Sequence, residues 1–168
     1  MLIKLNTEVE YRSMVFCSSQ YPDTAERPLL VITYKTDSTS TDSCINLAVT
    51  QEDYLDNIAP NTNYSTSQEI DAIAWTASST SFISRSVIDF NFSAIPAGAT
   101  ITSATLSLYG DSNTSNYQGD SPLSGSNDWS IQRVTSAWTG STVTWNTQPA
   151  STTIDEVSMP QSTSQYED

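Results

Sequence analysis

The chain has 168 residues, 37% of them hydrophobic, which is enough apolar surface for one sandwich core but not for two complete ones. Nineteen Asp and Glu against six Lys and Arg leave a formal net charge of -13; this repels phosphate backbones and anionic headgroups, argues against nucleic acid as a partner, and attracts cations such as calcium. There is no histidine, so mechanisms that need an imidazole base or an imidazole metal ligand are excluded.

In chain order, Ile3 and Leu5, then Met14 and Phe16, alternate with polar residues, and Leu29 to Tyr34 forms a more continuous apolar run. Period two with β-branched and aromatic residues predicts strands. Residues 36–43, TDSTSTDS, contain nothing apolar and read as a linker. Further strands are expected at Ile45 to Val49, Ile70 to Ala74, Phe82 to Phe92, Ile101 to Tyr109, Trp129 to Val134 and Val143 to Trp145, with turn signals at Pro60, Pro96, Gly98, Gly110, Gly119 and Gly140. Ile154, Val157 and Met159 suit a last edge strand, and Asp111 to Asn127 reads as a long polar loop. No segment sustains helical spacing, so the expected fold is all-β, a sandwich.

In IPAGATITSATLSLY, Pro96 fixes φ and Gly98 permits the turn. Ile101, Ala104, Leu106 and Leu108 then face the core, with a bulge where the alternation slips between Ile101 and Ala104. In RSVIDFNF, alternation turns Phe90 and Phe92 inward and Asp89 outward. Together with PNTNY at 60–64 and AWTGSTVTWNTQPA at 137–150, these blocks resemble a DNRLRE domain, an all-β module of secreted and cell-surface microbial proteins that also lends its name to a carbohydrate-binding family. The resemblance implies a jelly-roll-type sandwich in which Trp138 and Trp145 are packing anchors.

The order of the pieces is unusual. Residues 1–35 resemble the closing strands of such a module, whereas residues 44–168 resemble its opening and middle; the family's VDVT-like strand and LVQ-like turn between them are missing. The expected sandwich is therefore incomplete or permuted. Residues 1–35, with Leu29, Leu30, Val31, Ile32 and Tyr34 as the assembly strand, are expected to complete an adjacent module or another copy of the chain, giving a structural tile of an extracellular fibre or surface adhesin. The alternative is a carbohydrate-binding module for an extracellular polysaccharide such as alginate, with Trp75, Tyr117 and Trp129 as exposed aromatic contacts.

Cys17 and Cys44 form an even pair, compatible with a disulfide in an oxidising compartment or with two free thiols. No run is apolar enough to span a bilayer, and Met1 is not followed by a secretory pattern, so a targeting signal would lie outside this sequence. Asp53, Asp56 and Asn57 are the candidate calcium ligands, although no DxDxDG run is present; no cofactor is required and no catalytic residue is assigned.

Overall fold

A computed structural model describes residues 1–37, 41–114 and 119–165. Among them are nine strands: β1 (Leu2–Leu5), β2 (Arg12–Cys17), β3 (Leu29–Lys35), β4 (Ser43–Asp56), β5 (Glu69–Ala77), β6 (Thr80–Phe90), β7 (Thr100–Ser107), β8 (Trp129–Val134) and β9 (Ser151–Met159). Two single 3-10 turns, Thr24–Glu26 and Trp145–Thr147, are the described helical pieces. The fold is all-β, as expected. Its strands follow the order β7-β3-β4-β6-β1-β8-β9, with β5 pairing β6 and β2 off that path.

Strand β4 links the two halves of this curled, open sheet. Its first residues, Ser43 to Ala48, pair with β3, whereas Val49 to Asp56 pair with β6, and the register shifts between Val49 and Gln51. The extra residue, Thr50, is a bulge, the device that bends a strand from one partner to another; its hydroxyl donates to the Asp89 carbonyl at 3.2 Å. The bulge expected in β7 is also present. Thr33 faces Ser103 while Tyr34 faces Ile101, leaving Thr102 unpaired in the register.

Residues 1–35 are where the sequence reading needs correction. β1 lies between β6 and β8, with Leu2 opposite both Val87 and Gln132. β2 pairs with β5 from Arg12–Ala74 to Cys17–Glu69. β3, with Leu29, Leu30, Val31, Ile32 and Tyr34, is paired on one edge with β4 and on the other with β7. All three pair within their own chain, β1 and β3 between two strands each and β2 along β5. Of the expected linker, residues 38–40 lie outside the described residues; on either side of them β3 and β4 pair antiparallel, Ser43 belongs to β4, and Lys35 and Asp42 form an ion pair at 3.4 Å.

The main core gathers Ile3, Leu5, Met14, Phe16, Leu30, Ile32, Ile88, Phe90 and Trp129. A second cluster on the opposite face of β6 joins Leu2, Leu55, Val87 and Val143, with Trp138 and Trp145 leaning on it. β6 is therefore buried on both faces near its end, and only Phe90 of the Phe90/Phe92 pair is in the core. The strand stops at Phe90. Asn91 then accepts from the Ser93 amide at 2.9 Å, an Asx turn that throws Phe92 outward to 48% exposure. Leu106 and Leu108 are half-buried rather than enclosed, and Val143 to Trp145 is not a strand: Val143 and Thr144 are irregular and Trp145 opens the second 3-10 turn.

Candidate functional site

The signature loops are joined by a polar knot. Asn63 donates its carboxamide hydrogens to the Asp53 carboxylate and to the carbonyls of Gly140 and Val143, the latter two at 2.7 and 2.9 Å. Asp53 also accepts from the Tyr64 amide at 2.8 Å, and the Tyr64 hydroxyl donates to Asp56 at 2.7 Å while its ring stacks on Tyr54 with centroids 4.2 Å apart. Asp56 further accepts from the amides of Ile58 and Ala59, at 2.7 and 2.6 Å. Asn57 bridges the Ser81 carbonyl and the Ile83 amide. The three candidate calcium ligands thus hold loops together. Among the described residues no group of three or more Asp, Glu, Cys or His is arranged to hold a metal.

Burial governs the electrostatics here. Asp53 is only 1% exposed, and loss of hydration raises its carboxyl to about 7, despite hydrogen bonds from Tyr64, Asn63 and Tyr54 that favour the anion. Asp71 on β5, beside the Ser84 hydroxyl, is raised to about 7 for the same reason. Glu52 is raised as well; its Oε1 accepts from the Ser19 amide at 2.6 Å, while its buried Oε2 has no hydrogen-bond partner among the described residues.

The aromatic candidates separate. Trp129 is 6% exposed and packs against Phe16 with centroids 5.0 Å apart, so it is a core residue and not a ligand platform. Trp75 is half-buried and meets Tyr11 edge to face at 5.3 Å. Tyr117 lies outside the described residues. The two cysteines are not joined in a disulfide: Cys17 is buried at the end of β2, whereas Cys44 is exposed on β4.

The site the structure does assemble uses other aromatics. Phe92 and Trp138 line one cleft of about 740 Å³ together with Gln51, Asp89, Gln132, Arg133 and Asp155. Leu30, Ile32, Ala104, Ile131 and Val157 contribute apolar wall. Its polar groups are held in place. Gln51 receives the Gly140 amide at 2.9 Å and donates to Asp89 at 3.2 Å, and Gln132 donates to Glu156 at 2.8 Å and accepts from Ser151 at 2.7 Å. Gly140 suits this close approach, since a Cβ there would meet the Gln51 Cβ at 3.0 Å and press it aside. An aromatic wall with a few oriented amides, a carboxylate and a guanidinium is the chemistry of a site that covers an apolar face and fixes hydroxyls around it.

Sequence reasoning assigned Phe92 and Trp138 to packing. For Phe92 the alternation was extended two residues too far, and the Asn-Phe-Ser turn signal was the available warning. For Trp138 the assignment was half right: one side of the ring packs on the second core cluster while the residue also lines the cleft.

A family model described as carbohydrate-binding module family 96 matches residues 43–168. Comparison with curated proteins and with solved structures returned no match.

Proposed function

The chain belongs to carbohydrate-binding module family 96 over most of its length, and from that membership we propose that it is a non-catalytic module that binds an extracellular polysaccharide. One observation carries the choice of site: Phe92 and Trp138 share a cleft with Gln51, Asp89, Gln132 and Arg133. A sugar ring laid against the indole or phenyl face buries its C–H side, while the surrounding amides and charged groups meet its hydroxyls. Binding of this kind needs no metal and no titrating base, in keeping with a sequence that has no histidine.

The role is attachment of whatever the module is joined to, outside the cell, to a glycan surface. No helix among the described residues is long and apolar enough to cross a membrane.

The test is affinity electrophoresis of the full chain in gels cast with a panel of soluble polysaccharides, neutral and uronate. Retardation by at least one of them, lost in Phe92→Ala and Trp138→Ala but kept in Trp75→Ala, is the expected pattern. Retention of all three variants would move the site away from this cleft.

A further inference from the structure

We infer that the seam between β7 and β9 is an acceptor for an extended strand of another polypeptide, with apolar side chains at alternate positions and a neutral or basic character. β7 and β9 are the two ends of the strand path, so among the described residues each is paired along one edge only. Cross-strand partners share a face, and the partners here are core residues. Leu106 and Ala104 lie opposite Leu30 and Ile32, and Met159 and Val157 lie opposite Trp129 and Ile131. The side chains on the two end strands therefore point to the core side, yet Val157 is 54% and Met159 37% exposed. The core face is uncovered along both ends; Ala104 and Val157 border the glycan cleft, and the seam proper lies at Leu106, Leu108 and Met159.

Between them lies a cavity of about 420 Å³ walled by Phe16, Leu106, Leu108, Trp129, Ile131 and Met159, and none of its lining residues is charged. An apolar ligand without a backbone would fill the volume but leave the two rows of edge amides and carbonyls unmatched. A strand matches both, placing alternate side chains into the cavity and its main chain on an edge. β7 carries no charge, no proline and no glycine across Thr100–Ser107, so it lacks the usual devices that keep a strand from pairing. Charge selects among strands. A second copy would bring its own net charge of -13 into contact with the first, whereas a neutral segment approaches with no such repulsion and a basic one is attracted by the net charge of the chain.

The test uses the full chain and a nine-residue probe peptide in which valine alternates with threonine between terminal lysines, against a scrambled peptide and one with terminal glutamates. Hydrogen exchange is expected to slow about tenfold or more at residues 100–107 and 151–159 when the alternating peptide is added, with affinity near the micromolar range. Leu106→Lys and Met159→Lys, which lie outside the proposed glycan cleft, should each weaken binding about tenfold with the far-ultraviolet circular dichroism unchanged. The glutamate-ended peptide should bind more weakly at low salt. Equal binding of the scrambled peptide, or no protection at about millimolar peptide, overturns the proposal. Protection that rises with protein concentration alone would assign the seam to a second copy, and loss of polysaccharide retardation in Leu106→Lys and Met159→Lys, at residues that line the seam cavity and not the glycan cleft, would assign it to the glycan; either result overturns it too.

Discussion

Arg85 on β6 grips Glu8 with both arms of its guanidinium, Nε to Oε1 at 2.7 Å and Nη2 to Oε2 at 2.8 Å. The same guanidinium lies 5.0 Å from the centroid of Trp145, and its Nη1 donates to Gln148 at 2.9 Å. One side chain thus ties the β1–β2 connection to the second signature loop. Both partners are mostly buried, so the bidentate geometry is protected from salt. Arg85→Met, which keeps the aliphatic stem, is expected to cost about 2–3 kcal/mol in urea unfolding because it removes both guanidinium hydrogen bonds and leaves the Glu8 carboxylate with only the Lys4 ammonium, 3.7 Å away. Glu8→Gln should cost less, since it leaves a neutral amide.

Trp129 and Trp138 are expected to respond oppositely in two assays. Trp129→Ala empties a core position beside Phe16 and should destabilise by about 3–5 kcal/mol, with any remaining folded protein still binding polysaccharide. Trp138→Ala should abolish glycan retardation and lower stability by a smaller amount, because the ring is only half-buried. Thermal melts and affinity gels run on the same preparations distinguish the two. Equal behaviour of the two variants in both assays would contradict the division between core and cleft.

The two thiols give a third check. Cys44 is exposed and Cys17 buried, so a thiol reagent should modify one cysteine per native chain rapidly and the second only on unfolding. Reducing agent should leave the melting temperature unchanged. A drop on reduction would show that the two cysteines are joined.

The all-β character was legible because nearly every strand carries its own period-two pattern, and the bulge at Thr102 was legible because it breaks that pattern. What the pattern did not carry was partnership. Leu29 to Tyr34 reads as an apolar strand whether its neighbours are β4 and β7 of the same chain or strands of another; only the closed β3–β4 hairpin distinguishes them, and a polar loop of eight residues serves equally well as a linker. The cleft was illegible for a related reason. Trp138 belongs to a loop whose Gly140 is held by hydrogen bonds to Asn63 and Gln51, both distant from it in sequence. Asp53 and Asp56 looked like ligands because carboxylates in loops suit a cation, and the same property lets them accept loop amides.

The buried carboxylates set the pH dependence. Asp53 and Asp71 are raised from 3.8 to about 7, mainly by loss of hydration, and Glu52 is raised from 4.5. In the unfolded chain these groups ionise at their ordinary values. Between about pH 4 and pH 7 the folded state therefore binds more protons than the unfolded one, and stability declines as pH rises, by up to about 1.4 kcal/mol per pH unit for each carboxylate. The contribution is fully present below the ordinary carboxylate range; for Asp53 and Asp71 it fades toward their folded values of about 7 and is gone above them. Asp128, lowered by hydrogen bonds from Ser126 and Asn6, acts in the opposite sense, but it titrates below this window. The melting temperature is thus expected to fall from pH 5 to pH 8. Asp71→Asn, which keeps an oxygen for the Ser84 hydroxyl, should remove about half of that slope. Calorimetry across the range is the measurement, and a melting temperature that climbs toward pH 8 would show that these carboxylates are hydrated and ionised in the folded protein.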